Sequence, residues 1–274
     1  MTPEVPLISI ITPAYNGAKY LDELIRSVQA QDYPNLEHIL IDDGSADGGA
    51  TAAILKQYPH LRSWSRENRG QYATMNEGLD AAKGEWICFV SADDKVEPGA
   101  VRRAAGFLTR HPQWDGVVGY TKAMDDAGKP YAAPPFQWVP ARSYAYFSQI
   151  SHCSLYVKRE ALLRNQLTFN PSLRYVGDYD WLIRAARTLR IGRVPFPLST
   201  VRIHRAQASR VHRQAMIVEQ RRIVSVYHIN PFLFSALRYA YILVHDLKKL
   251  WSVLKSEGVA GAIQLFRDHF NPNQ

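Results

Sequence analysis

Cysteine is nearly missing from this 274-residue chain, and its two copies, Cys88 and Cys153, are too few for a secreted disulfide framework. Cys88 sits inside the apolar run Trp86-Ile87-Cys88-Phe89-Val90, so both are expected as buried free thiols, with a reducing, cytosolic setting as the default. No apolar run reaches the length of a membrane span. The start, Met1-Thr2-Pro3-Glu4-Val5-Pro6, lacks a basic leader and an apolar core, so no signal peptide is expected. Neither Gly-x-x-x-x-Gly-Lys-Ser/Thr nor Gly-x-Gly-x-x-Gly occurs, which leaves a P-loop ATPase and a dinucleotide oxidoreductase without support. Repeats and low-complexity tracts are also absent.

What the chain does have is apolar content and an uneven charge. At 46% hydrophobic it can bury a full core, either as one large α/β domain or as one domain with an appendage. The net charge is +8, yet residues 201–274 carry 11 Lys and Arg against 4 Asp and Glu, leaving +1 for the first 200. No zinc-ligand spacing or recognition-helix pattern accompanies this basic tail, so nucleic acid is not an expected partner, and an anionic membrane surface suits it better.

The first hundred residues alternate strand and helix signals. Leu7 to Ile11 reads as a strand, followed by a helix striped with Leu21, Leu24, Ile25 and Val28. The strand His38 to Ile41, a helix from Ala50 to Tyr58, and a helix carrying Tyr72, Met75 and Leu79 come next, the last closed by Gly84 as C-cap before the Trp86 strand. Repeated β-α-β predicts a largely parallel sheet with helices on both faces. Between Gly116 and Pro140 the pattern loosens, with a hairpin turn at Asp125 to Lys129. The acceptor side of a site is expected there. A strand at Ser154 to Val157, a helix at Arg159 to Arg164, and a helix from Tyr179 to Leu189 complete this half.

Three strands end in polar groups: Thr12-Pro13-Ala14-Tyr15-Asn16, Asp42-Asp43-Gly44-Ser45 and Ser91-Ala92-Asp93-Asp94. In a parallel sheet these ends converge on one edge, where ligands of open α/β folds bind. There the Tyr15 ring can lie against a base, Asp43 can accept a base N–H, and Asp93 with Asp94 can hold a ribose and a metal-bound diphosphate. Hard carboxylate oxygens suit Mg²⁺ or Mn²⁺. Each piece taken singly also reads as an ordinary turn or helix cap.

The ordered set Ile8-Ser9-Ile10-Ile11-Thr12-Pro13-Ala14-Tyr15-Asn16, Ile39-Leu40-Ile41-Asp42-Asp43-Gly44-Ser45, Glu67-Asn68-Arg69-Gly70, Asn76-Glu77-Gly78-Leu79, Asp93-Asp94 and Gly177-Asp178-Tyr179-Asp180-Trp181-Leu182 resembles the family 2 glycosyltransferases of GT-A fold. The resemblance covers about residues 7–210. It implies a Rossmann-like GT-A domain over 1–210, with a nucleotide-binding half at 1–100 and an acceptor half at 101–210, followed by a basic amphipathic helical tail at 211–274. It implies a nucleotide-sugar donor, a glycan or lipid-linked acceptor in cell-surface polysaccharide synthesis, and Mn²⁺ or Mg²⁺ as cofactor. Pro13, Tyr15, Asp43, Arg69 and Asp93 become the nucleotide-binding candidates. Asp94 and Asp93 become the metal ligands, with His204 from the segment Arg202-Ile203-His204-Arg205 as a further ligand or diphosphate donor, and Arg202 or Arg205 as countercharge. Many relatives carry a carboxylate at the position of Ser91 and Glu-Asp at the position of Gly177-Asp178. The base role in an inverting transfer then falls to Asp178, with Asp180 in support. Read without the resemblance, Asp178 is more readily a helix N-cap than a base.

From Asn230-Pro231 a helix is expected, with Leu233, Leu237, Ala240, Val244, Leu247, Trp251 and Leu254 on one stripe and Arg238, Lys248, Lys249 and Lys255 beside it. Such a helix can dock on the inner face of the cytoplasmic membrane, pack on its own domain, or join two copies of the chain. Two other function classes stay open at this stage: a sugar-phosphate nucleotidyltransferase, and a nucleotide-sugar sensor or membrane scaffold without turnover. The first normally needs a Gly-rich basic phosphate loop after the first strand, and Pro13-Ala14-Tyr15-Asn16-Gly17 is not one.

Overall fold

The computed structural model describes residues 5–131 and 151–230. One eight-stranded sheet runs through them, with strands β1 (Ile8–Ala14), β2 (Leu36–Asp42), β3 (Arg62–Ser65), β4 (Trp86–Phe89), β5 (Lys95–Val96), β6 (Gly116–Met124), β7 (Leu155–Lys158) and β8 (Ile191–Arg202). Their spatial order is β3-β2-β1-β4-β7-β6-β8-β5. The first four are mutually parallel, β7 runs antiparallel to β4 and β6, and β6 is parallel to β8, giving a mixed α/β fold.

The centre of the parallel half exists because β1, most of β2 and β4 are apolar on both faces, while β3 closes the edge half-exposed. Every residue of β1 is buried, with Ile11 entering the core on one side of the sheet and Ile8 and Ile10 the core on the other. The helices α1 (Ala18–Gln29), α2 (Ala50–Lys56), α3 (Gln71–Ala81) and α4 (Ala100–Arg110) supply the layers. In α1 the buried residues are Leu21, Leu24, Ile25 and Val28, the stripe expected from their spacing. Each such side chain contributes about 1.5–3 kcal/mol on full burial.

Gly84 does not cap α3. That helix ends where Ala82 turns extended (φ −67°, ψ 139°). Gly84 instead lies against β1: its N–H donates to Ser9 Oγ at 2.8 Å, and a Cβ would sit 2.5 Å from the Ser9 nitrogen. The segment expected to loosen after Gly116 holds the nine-residue β6, paired along its length with β8. Gly119 explains why it reads as loop, since a Cβ there would lie 2.6 Å from the Phe196 carbonyl at the register shift between the two strands. The turn at Asp125 to Lys129 forms as expected, with Gly128 at φ +83° and the Asp125 N–H bonded to the Lys129 carbonyl.

After a 3₁₀ turn (His152–Ser154) and β7 come α5 (Arg159–Arg164) and α6 (Gly177–Thr188), then α7 (Ala208–Val211) and α8 (Arg213–Val226). Ile223, Val224 and Ile229 enter the same core cluster as Trp181 and Leu182 of α6, so the chain beyond residue 210 continues into the shared core. The tail helix expected from Asn230 lies outside the described residues. Among the described residues no helix is long and apolar enough to cross a membrane. Cys88 and Cys153 are buried free thiols.

A titration is built into the core at β2. His38 is buried, with Nε2 3.0 Å from Thr12 Oγ1 and Nδ1 without a partner. Burial, and secondarily the charge of His60, lowers its pKa to about 4 from an ordinary value near 6.5. Unfolding therefore restores proton affinity. The stabilisation is complete above pH 6.5 and is lost as pH falls toward 4, at most ~3 kcal/mol. Urea denaturation at pH 7.5 and 4.5 is expected to show that loss, and His38→Gln to flatten it.

Candidate active site

The carboxyl ends of β1, β2 and β4 meet at one edge because those strands are parallel neighbours. A cleft of about 1470 Å³ opens there, lined among others by Pro13, Tyr15, Asp43, Arg69, Asp93 and Asp178. Tyr15 is half exposed in the loop after β1. That loop is held by Asn16, a left-handed residue (φ 51°) whose Oδ1 accepts from the Ala46 N–H at 2.8 Å and whose N–H donates to Ser45 Oγ at 2.8 Å. Two strand-end loops are thus stitched into one wall.

Asp43 is buried, and its role in the fold was not visible from its neighbours in sequence. Oδ1 accepts from the Arg69 N–H at 2.8 Å and Oδ2 from the Gly70 N–H at 2.9 Å, while the Arg66 guanidinium forms an ion pair with it. Arg66 is itself held by Glu77 at 2.8 Å and Thr74 at 2.8 Å. Gly44 (φ +68°) must be glycine, since a Cβ would lie 2.7 Å from the Asn68 nitrogen. The carboxylate therefore fixes the 66–70 loop over the cleft and places the Arg69 side chain at its lining.

The acidic doublet divides. Asp94 is turned inward: Oδ1 accepts from the Arg202 N–H at 2.9 Å and Oδ2 from the Cys153 thiol at 3.1 Å. Burial, then Cys153 and Asp93, pushes its carboxyl well above the usual range. Asp93 faces the cleft, with Oδ2 3.0 Å from His204 Nε2. The His204 ring in turn rests 4.9 Å from that of Tyr20. Asp93 and His204 thus bring a hard oxygen and an imidazole nitrogen to the cleft, bonded to each other through Oδ2 and Nε2; the carboxylate suits Mg²⁺ or Mn²⁺, and the imidazole would have to release Asp93 to join it. Asp94, with both oxygens in internal bonds, fits less well. Among the described residues no group of three His, Cys, Asp or Glu side chains is arranged to hold a metal ion.

Arg202 is not a free countercharge. It is fully buried, donates from Nε to the Asp93 carbonyl at 3.1 Å and from one terminal nitrogen to the Asp125 and Asp126 carbonyls at 3.2 and 3.0 Å, and pairs with Glu23. It braces the loop under the doublet. Arg205, exposed at the cleft, is the one available to an anion.

Asp178 lines the same cleft from the first turn of α6, rather than standing at its N-cap, which is Val176. Its Oδ1 accepts from the Tyr179 N–H at 2.8 Å and the Tyr72 hydroxyl at 3.3 Å. Its Oδ2 lies 3.9 Å from His152 Nδ1, and the other nitrogen of that ring is 3.3 Å from Ser91 Oγ. One imidazole therefore separates Asp178 from Ser91, at the start of the turn that carries the doublet. Asp180 is buried and occupied, bonded to Arg184 at 2.7 Å and the Tyr227 hydroxyl at 2.7 Å. Upstream, the Glu219 carboxylate of α8 collects the N–H groups of Arg174, Tyr175 and Val176 at 2.8, 2.7 and 2.9 Å, fixing the segment that leads into Asp178. Glu219, Tyr72 and Arg66 escape sequence reading because each acts on a group far along the chain, and the motif beside Arg66 and Tyr72 does not record that partner.

Residues 9–167 match the model of Glycosyl transferase family 2. An uncharacterized glycosyltransferase of Rickettsia typhi is 32% identical over 216 residues, covering 74% of this chain and 66% of its own length. Across the first relatives matched, the chain spans between 18% and 66% of their lengths. Among solved structures, Staphylococcus aureus TarS 1–349 in complex with UDP-GlcNAc aligns with a TM-score of 0.62 at 23% identity, over 73% of this chain and 60% of that one. The mannosyltransferase PcManGT of Pyrobaculum calidifontis, in complex with GDP-Man and Mn²⁺, aligns with a TM-score of 0.60 at 19% identity, over 97% of this chain and 80% of that one. These two share the fold with it, and the match over residues 9–167 decides the family: the chain belongs to the family 2 glycosyltransferases.

Proposed function

We propose that this chain moves a sugar from a nucleoside-diphosphate sugar to a hydroxyl of a glycan or lipid-linked acceptor, with inversion at the anomeric carbon. The observation that carries the reading is the carboxylate of Asp178, which lines the same cleft as Asp93 and reaches Ser91, just beyond the end of β4, through one imidazole. Asp178 takes the proton of the acceptor hydroxyl as that oxygen bonds to the anomeric carbon. The bond from that carbon to the diphosphate breaks, and its electron pair leaves with the nucleoside diphosphate. One displacement by one base gives inversion.

Pro13, Tyr15, Asp43 and Arg69 line the side where the nucleotide would lie. TarS was solved with UDP-GlcNAc and PcManGT with GDP-Man, which supports a nucleotide sugar as donor. Asp93 and His204 would hold Mn²⁺ or Mg²⁺, as the Mn²⁺ of PcManGT suggests. When bound, such an ion would supply positive charge to offset that of the departing diphosphate. Arg205 adds a cation on the same side. Cell-surface polysaccharide synthesis and docking of residues 231–274 on an anionic membrane complete the proposal, and both rest on the sequence.

Calorimetric titration with UDP and with GDP, each with and without Mn²⁺, tests the donor side. Binding of one of them is expected to tighten with Mn²⁺, and Asp93→Ala to remove that dependence. Indifference to Mn²⁺ in the unaltered protein would remove the metal from the proposal.

A further inference from the structure

The two oxygens of Asp178 are in unlike surroundings. Oδ1 accepts from the Tyr72 hydroxyl at 3.3 Å and from a backbone N–H, whereas Oδ2 accepts no hydrogen bond among the described residues and has His152 Nδ1 3.9 Å away. Tyr72 is itself closely packed. Its ring is buried on α3, lies 5.8 Å from and nearly parallel to Phe169, and Phe169 stacks at 5.0 Å on Trp181 of the helix that carries Asp178. The ring also covers the backbone of Gly177 so closely that a Cβ there would lie 2.6 Å from two of its carbons. Glycine at 177 and tyrosine at 72 therefore form one device. The absence of a side chain beside Asp178 makes the room that the ring fills.

We propose that Tyr72 is the positioning residue for Asp178: its phenol holds Oδ1, so that Oδ2 is the oxygen presented to the acceptor hydroxyl. The proposal rests on the reading of Asp178 as base. Burial pushes the phenol up, and the Asp178 charge adds to this, so Tyr72 stays protonated and serves as donor only. The other charged and titratable groups near this carboxylate do not compete for Oδ1. His152 reaches toward Oδ2 from the 3₁₀ turn, and Asp180 on the same helix is tied to Arg184 and Tyr227. A base whose reactive oxygen is fixed loses less alignment on binding, and misplacement by about 1 Å costs on the order of a hundredfold in rate.

Tyr72→Phe keeps the ring, its stacking and its cover over Gly177, and deletes only the hydroxyl. The assay is release of nucleoside diphosphate from UDP-GlcNAc or GDP-mannose, whichever the unaltered protein turns over, with nucleotide affinity measured by calorimetry. Tyr72→Phe is expected to lower kcat roughly tenfold or more, with donor KM, nucleotide affinity and melting temperature nearly unchanged. In an Asp178→Asn background the same change is expected to have no further effect on kcat, because Tyr72 acts through that carboxylate. Gly177→Ala, which forces the ring aside, is expected to reproduce the kcat loss and lower the melting temperature. Unaltered kcat in Tyr72→Phe, or an equal loss in both backgrounds, overturns the positioning role alone. Full turnover in Asp178→Asn overturns the base reading and this inference with it.

Discussion

Asp43→Ala is expected to lower stability by about 3–5 kcal/mol and to abolish nucleotide binding, the cost typical of leaving one partner of a buried ion pair uncompensated. The carboxylate carries more than one duty. It satisfies the N–H groups of Arg69 and Gly70 and neutralises Arg66, which is itself nearly buried. Removing it leaves a buried guanidinium with only Glu77 as counterion, and two backbone donors without acceptors. The 66–70 loop, with Arg69, then loses its anchor over the cleft. Urea denaturation reads the stability and calorimetry with UDP and GDP reads the binding. Asp43→Asn separates the two duties, because an amide can still accept from a backbone N–H but cannot pair with Arg66. Near-normal stability in Asp43→Ala would mean that the loop is held by something other than this carboxylate.

Asp178→Asn is expected to reduce kcat by a hundredfold or more, the range for losing a general base. The substitution is nearly isosteric, so Oδ1 still accepts from Tyr72 and from the Tyr179 N–H, and the first turn of α6 keeps its geometry. What disappears is the ability to take a proton. Nothing in the strand-end pocket changes, so donor KM is expected to stay within a few-fold of its ordinary value. A kcat that stayed within threefold would hand the proton transfer to another group, with His152, 3.9 Å away, the nearest candidate.

Apart from the edge strand β3, which has no apolar run and was not read, the parallel half of the fold was legible because it obeys local rules. Strands buried on both faces read as apolar runs, and the stripe of α1 fell on its helical period. The second half was harder for a physical reason. Strand β6 carries Gly116, Gly119, Tyr120 and Lys122, which read as loop, yet Gly119 is what lets β8 approach at the register shift. The same applies to Gly84, where a close approach to Ser9 looks in sequence like a helix cap. In the site, the strand-end carboxylates and Asp178 stood out, but their partners did not. Arg66, Tyr72, Arg202 and Glu219 each bond to groups far along the chain or in a different element, and no spacing rule records that. The pairing of Gly177 with Tyr72 belongs to the same class: an unusual glycine is visible, while the ring that requires it is 105 residues away.

The reading as a whole requires that binding and chemistry be separable, with the nucleotide held at the strand ends and the proton removed at the first turn of α6. A single preparation of Asp178→Asn, titrated with the nucleoside diphosphate in Mn²⁺ and then assayed for its release from the cognate sugar donor, measures both. Unaltered affinity with turnover lost is the expected outcome. Affinity lost together with turnover would place Asp178 in nucleotide binding and leave the transfer without its base.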